Sequence, residues 1–438
     1  MKNIAYQFFV KLLLSLNILI LTSELSASDW PQWRGPDRDG SWNETGLISE
    51  FDSPTLKAQW STPVGAGYSG PTVSDGRVYL TSRIEESDEV EQIHCVDEKT
   101  GKEIWKYVYP CVYIELGYPL GPRAAVTISE GKAYALGAMG HFHCLDAATG
   151  DVIWKRDLAV DYKVGKLIWG IAASPLVDKQ NVYLIVGGEP DAAVVALNKD
   201  NGKEVWRSLD GMGSYSSPRF IEQAGKRLLL VWSGDWFATL EPNTGKPAWK
   251  LPFERAKMVI NASDPVVDNE TNRIFFSSFY DGSYLIQLDS KSTDAEMVWS
   301  RRGRSEIHTD ALQGIITTAF IRENHVYGLD SYGELRCLDM DTGDRVWSDQ
   351  SLLNKGRWAT AFFVQNGDKT WIFTELGELV IARLSPDGFE RISATQIIEP
   401  TTHLPRRNTK ILWSHPAYAN KHIFARNDRE LISVNLSN

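Results

Sequence analysis

Residues 95–105 read CVDEKTGKEIW, and this stretch recurs along the chain. Copies stand at 144–154 (CLDAATGDVIW), 196–206 (ALNKDNGKEVW), 239–249 (TLEPNTGKPAW) and 337–347 (CLDMDTGDRVW). A longer variant runs from Gln287 through Asp289 to Trp299, and a worn one through Ala382, Asp387, Gly388 and Ile392. The closing residues Trp105, Trp154, Trp206, Trp249, Trp299 and Trp347 are 43 to 52 positions apart. Asp opens the turn because its carboxylate accepts bonds from the following N–H groups. Gly closes it because only Gly enters positive φ cheaply.

A second segment precedes each copy: SGPTVSDGRVYLTS at 69–82, AASPLVDKQNVYLIVG at 172–187, SDPVVDNETNRIFFSS at 263–278. Each unit therefore reads as strand, tight turn, strand, gap, strand, Asp-x-x-Thr-Gly turn and a strand that ends in Trp. Apolar residues alternate along these runs, as half-buried strands require. Four short strands at this period predict the blade of a β-propeller, in an all-β chain. The last copy, at Ser433 to Asn435, stops before its turn and its Trp. Leu56 to Trp60 has no motif ahead of it and supplies the missing strand. The expectation is eight blades in a ring closed by an N-terminal strand, which removes exposed sheet edges. A ring of seven follows if the worn repeat around 356–392 is not a full sheet.

The repeat also accounts for an odd composition. The 438 residues carry 16 Trp, 16 Tyr and 16 Phe, although Trp is ordinarily the scarcest of the three. Six of the tryptophans close a repeat, and Trp60 makes a seventh. With 43% hydrophobic residues the chain is too apolar for disorder, and Gly and Pro usage excludes collagen-like classes. Asp+Glu outnumber Lys+Arg, 56 to 46, so there is no global basic field and nucleic acid is not an expected partner.

The A-x-D-x-x-T-G-x-x-x-W pattern resembles the repeat of the pyrroloquinoline-quinone (PQQ) type propellers. That group includes quinoprotein dehydrogenases and the outer-membrane assembly factor BamB. The resemblance covers roughly residues 57–436, and residues 29–40 (DWPQWRGPDRDG) resemble the lead-in of exported proteins with this repeat. It implies that Trp60, Trp105, Trp154, Trp206, Trp249, Trp299 and Trp347 each dock onto the neighbouring blade. An indole suits that role, burying a large apolar area while its N–H finds a carbonyl.

The amino terminus has the layout of a secretory signal. Lys2 and Lys11 flank a mildly apolar start, Leu12 to Leu21 reads LLLSLNILIL, and Ser26, Ala27 and Ser28 follow. The expected domains are a signal peptide at 1–28, a lead-in at 29–56 and a propeller at 57–438. The expected location is the periplasm or cell envelope, with no membrane span in the mature chain. The same reading expects a monomer.

Cys95, Cys144 and Cys337 share one repeat position that Ala occupies elsewhere, which reads as a small buried residue. Different blades lie too far apart for disulfide geometry. His141 and His143 point to one face of a strand without a third metal ligand at diagnostic spacing. No metal site is expected.

The residues just before each innermost strand should rim the central channel: Tyr68, Arg123, Trp169, Tyr215, Asp264, Gln313, Trp358 and His415. Aromatic faces, one cation and hydrogen-bonding groups suit a small ligand or a peptide. Three functions compete. The first is a non-enzymatic, BamB-like scaffold that binds envelope proteins or peptides without a cofactor. The second is a PQQ-dependent oxidoreductase with Ca²⁺, in which the resemblance would use Arg123 on the quinone carboxylates and Asp264 as base. The third is a propeller that binds carbohydrate or peptide on Trp169 and Trp358.

Overall fold

The computed structural model describes residues 28–85, 89–165, 167–404 and 407–438. The expected signal peptide, apart from Ser28, lies outside them. The described residues form eight four-stranded antiparallel sheets, so the ring has eight blades rather than seven. Blade 1 runs from Thr72–Ser74 to Glu103–Pro110, blade 2 from Thr127–Ser129 to Val152–Asp157, and blade 3 from Leu176–Val177 to Glu204–Ser208. Blade 4 runs from Arg219–Gln223 to Pro247–Pro252, and blade 5 from Val266–Asp268 to Ala295–Arg301. Blade 6 runs from Phe320–Arg322 to Arg345–Asp349, and blade 7 from Ala361–Asn366 to Gly388–Gln396. Blade 8 takes three strands from Ala417–Ala419 to Glu430–Asn435 and its fourth from Trp60–Pro63, with Trp60 opposite Ser433. The worn repeat is thus a full sheet, and one early strand closes the ring. First strands of neighbouring blades touch one another, which places them around the centre.

A bulge recurs where the third strand meets the fourth. In blade 1 Cys95 faces Trp105 but Val96 faces Glu103, leaving Ile104 as the extra residue. The same shift falls at Cys144/Leu145, Ala196/Leu197, Thr239/Leu240 and Cys337/Leu338. An extra residue breaks the strict in-out alternation. Trp105 is therefore buried while its neighbour Ile104 faces solvent. The bulge also corrects the reading of the two irregular copies. Trp299 faces Leu285 rather than Gln287, because that hairpin is two residue pairs longer. In blade 7 Ile392 is the extra residue, and Ser393 holds the position of the repeat Trp.

Each repeat Trp spans to the next blade. Trp105 Nε1 donates to Ala147 O at 3.0 Å, Trp154 to Lys199 O at 3.0 Å and Trp206 to Pro242 O at 2.8 Å. Trp299 reaches Met340 O, Trp347 Ser385 O, and Trp60 Glu98 O across the closure. In most receiving blades the motif Gly lies against the indole: a Cβ on Gly150 would stand 2.7 Å from Trp105, and one on Gly202 2.6 Å from Trp154, whereas Gly388 of the blade that receives Trp347 has nothing within 4 Å. Gly is needed there for space as well as for φ. Trp249 is the exception. Its receiving turn, at 289–294, has no Gly, and Nε1 donates to Gln223 Oε1 at 3.0 Å instead. Gln223 Nε2 then carries the link to Asp294 O at 2.7 Å.

The lead-in closes one end of the channel. Trp30 pairs with Val73 of blade 1, Pro31 O accepts from Ile128 of blade 2, and Gly40 O accepts from Gln365 of blade 7. The buried Arg38 guanidinium donates to Ser174 O, Pro175 O and Pro218 O ahead of blades 3 and 4. One short segment thereby binds blades on opposite sides of the ring. All four cysteines are buried and unpaired, and burial pushes the thiols of Cys95 and Cys144 up to about 12. His143 is buried with its ring 4.3 Å from that of Tyr109, and His141 Nδ1 lies 3.6 Å from Cys111 Sγ.

Candidate functional site

The loops that enter the innermost strands converge on a cavity of about 120 Å³ at the channel mouth opposite the plug. Every one comes from an outer strand and must cross the face of the ring to reach the next inner strand. Their side chains therefore meet near the axis. Six of the eight predicted rim residues line this cavity: Tyr68, Arg123, Trp169, Tyr215, Trp358 and His415. Asp264 and Gln313 do not. Asp264 faces the plug, where it accepts from Trp33 Nε1 and, at 2.8 Å, from Ser217 N. Gln313 is buried between blades 5 and 6, donating to Phe279 O at 2.7 Å and accepting from Gly303 N at 3.0 Å.

Four more aromatic residues line the cavity: Tyr118, Phe362, Trp413 and, at its floor, Trp33. Tyr118 stands among three indoles, with ring centroids 5.6 Å from Trp358, 5.6 Å from Trp413 and 6.4 Å from Trp169, all edge-on. Trp169 also packs on Tyr215 at 4.9 Å. Both Tyr118 (φ 54°) and Trp358 (φ 64°) adopt left-handed backbone. For a bulky L-residue that conformation costs on the order of 1–2 kcal/mol, which the surrounding packing must offset. No positional signal marks Tyr118, which comes from mid-loop between Gly117 and Pro119. Trp413 lies two residues ahead of the predicted His415. The Arg357 guanidinium lies 4.4 Å over Trp358 and ion-pairs with Glu306 at 2.8 Å, fixing one face of that indole.

The polar lining is sparse. Arg123 donates to Gly117 O at 2.8 Å and Tyr118 O at 2.6 Å and lies 5.2 Å over the Tyr68 ring. No carboxylate ion-pairs with it among the described residues, and burial lowers its pKa below the usual arginine value. His415 Nε2 accepts from Gly70 N at 3.0 Å while Nδ1 faces Pro416 O, so these partners assign the proton to Nδ1. Burial pushes the imidazole down to about 4, leaving it neutral at pH 7. Ser174 Oγ and Ser217 Oγ accept backbone bonds from Ala125 and Ser174. The cavity thus offers aromatic surfaces, one cation and no carboxylate. Ca²⁺ takes six to eight oxygen ligands, carboxylates prominent among them. Among the described residues no three His, Cys, Asp or Glu side chains gather as a metal site. The residues present do not fit a PQQ–Ca²⁺ pair.

A family model described as outer membrane protein assembly factor BamB matches residues 42–107 and 90–349. A quinoprotein ethanol dehydrogenase of Pseudomonas putida is 29% identical over 164 residues. That match takes in 32% of this chain and only 24% of the enzyme. Among solved structures, BamB from Moraxella catarrhalis superposes with a TM-score of 0.58 at 14% identity, covering 87% of this chain and 100% of that one. The computationally designed Ika8 protein gives a TM-score of 0.55 at 10% identity, again over 87% of this chain and 100% of its own. At these identities the structures show a shared fold.

Proposed function

Because this chain belongs to the PQQ-like repeat β-propeller family, we propose that it is a non-enzymatic scaffold of the cell envelope. In this reading it binds protein partners through the loop face that carries the aromatic cavity. The observation that carries the proposal is the lining itself. Edge-packed rings and one cation without a carboxylate suit holding a group in place. They lack a base or a metal-oxygen set for oxidation. Asp264, the base expected from the resemblance, is turned toward Trp33 and Ser217 N. The matched part of the quinoprotein dehydrogenase is about a quarter of that enzyme, which leaves its activity with that protein. Among the described residues no helix is long and apolar enough to cross a membrane. Export as a monomer after cleavage near Ser28 is part of this proposal.

The discriminating experiment adds PQQ with Ca²⁺ to the purified protein. A ligand held only by the native state raises the melting temperature by mass action. We expect no shift at saturating PQQ and Ca²⁺, and no dye-linked oxidation of alcohols. A saturable rise accompanied by turnover would overturn the scaffold reading in favour of a quinoprotein.

A further inference from the structure

We propose that a single chloride ion binds in a small cavity between the lead-in and blades 6 to 8, with the Arg34 guanidinium as its cationic ligand, and that this ion fastens the plug. The cavity measures about 30 Å³ and shares Trp33 and His415 with the aromatic cavity. Trp30 and Arg34 enter its lining from the lead-in, Thr318 from the loop ahead of blade 6 and Val364 from blade 7. The site does not depend on the scaffold reading.

Arg34 calls for a counter-ion. It is 9% exposed and adopts left-handed backbone (φ 60°), a conformation disfavoured for a long side chain. A guanidinium has five N–H donors. Among the described residues this one makes a single bond, from Nη2 to Asp39 O at 2.8 Å, and Nη1 is buried with no partner. Burial lowers its pKa to about 10, so the group is still charged at pH 7. A bare buried charge costs far more than a bare neutral group, and buried charges are therefore paired. No carboxylate ion-pairs with Arg34 among the described residues. Asp264 is the carboxylate that acts on it most strongly, and its oxygens are engaged by Trp33 Nε1, Ser216 Oγ and Ser217 N. Asp39 Oδ1 accepts from Ser41 N. Arg219 adds a further guanidinium nearby, and its Nε is also buried without a partner.

The lining selects an anion, and a small one. Its second buried orphan, Trp30 Nε1, is also a donor. The other polar side chains are already engaged. His415 accepts from Gly70 N and faces Pro416 O. Thr318 Oγ1 accepts from Asp264 N, which leaves its own hydrogen free to donate. Unpaired donors thus face no unpaired side-chain acceptor, and no carboxylate lines the cavity. A water there would accept from the donors and find no side chain for its own hydrogens, whereas a halide accepts from all of them. The volume suits one water-sized species. Phosphate and sulfate, with four oxygens about a centre, are too large. Bound there, chloride neutralises Arg34 and joins the lead-in to the blades at one more point, beside the Arg38 bonds to Ser174 O, Pro175 O and Pro218 O.

Two measurements on the purified protein test the assignment. In the first, melting is followed at fixed ionic strength while sodium gluconate is exchanged for sodium chloride. An ion held only by the native state should raise the midpoint saturably, by at least about 2 °C, and bromide should replace chloride. Arg34→Met should abolish the response. Trp30→Phe keeps a ring and removes the N–H, and should weaken the apparent chloride affinity several-fold. If Arg34→Met does not fold, the second measurement decides. Crystals grown in bromide should show one anomalous peak within hydrogen-bond distance of Arg34 Nη1. Equal midpoints in gluconate and chloride, a response that Arg34→Met retains, or density without anomalous signal, which means water, overturns the chloride site. A bromide peak with no chloride-dependent melting reduces it to an adventitious ion only and overturns its role in fastening the plug.

Discussion

Trp154→Ala should destabilise the protein by about 3–5 kcal/mol, the range for removing a buried aromatic side chain. Trp154 is the hinge pin between blades 2 and 3. Its ring packs 5.4 Å from Phe142, its Nε1 donates to Lys199 O, and Gly202 lies on its face. The geometry makes the loss specific. Gly202 (φ +68°) would bring a Cβ within 2.6 Å of the indole, so Gly202→Ala suffers both backbone strain and a clash. In the Trp154→Ala background the clash is gone and only the strain remains. A double-mutant cycle by urea unfolding should therefore show a coupling of about 1–3 kcal/mol. Gly76→Ala is the reference, because Gly76 has φ +71° and nothing within 4 Å of its Cβ. It should cost only the left-handed conformation, about 1–2 kcal/mol. Additive behaviour of Trp154 and Gly202, or a Gly76→Ala cost equal to that of Gly202→Ala, would deny the docking device.

Acid should unfold the protein from below pH 6.5. Burial pushes His94 and His143 down to about 3 and His415 down to about 4. The unfolded chain returns each to about 6.5. Below that pH the unfolded state binds protons that the folded state refuses, so stability falls as pH falls. The loss begins at the unfolded pKa and continues toward the folded values. Each histidine contributes about 2 kcal/mol of destabilisation between pH 7.5 and 5, and the three together about 6 kcal/mol. Asp330 and Glu375 act in the opposite sense, since burial raises both carboxyls and the folded state gains their protons. The sum remains large against the 5–15 kcal/mol by which domains are usually stable. Urea midpoints at the two pH values measure it. His94→Gln, whatever its stability at pH 7.5, should lose about 2 kcal/mol less on acidification. A midpoint that does not move between pH 7.5 and 5 would contradict this reading of the buried imidazoles.

The fold was legible because its decisive contacts recur. A turn that needs Asp and Gly, and a strand that needs Trp, repeat often enough for one copy to explain the others. Ring closure was legible for the same reason, since Ser433 had no Trp and Trp60 had no turn. Legibility failed where strand length changed. The bulge obeys hydrogen-bond pairing rather than distance from the turn, so Trp299 faces Leu285 and the worn repeat is displaced by one residue. The site was legible to the extent that position along the chain decides it. Residues just ahead of an inner strand do reach the mouth, as Trp169 and Trp358 do. Orientation was not legible. The lead-in draws Asp264 away through a bond from Trp33, two segments 231 residues apart in sequence. Tyr118 enters from mid-loop, held there by left-handed backbone that composition does not announce.

On the proposed scaffold role, this propeller holds partners on its cavity-bearing face. A photo-crosslinking amino acid placed singly at Met258, Ile307, Ile153 or Val205 in the producing cell tests it most directly. All four positions are exposed, the first two on the loop face and the last two on outer strands. Discrete protein adducts are expected from Met258 and Ile307, and none from Ile153 and Val205. Adducts confined to the outer strands, or none from any position, would contradict it.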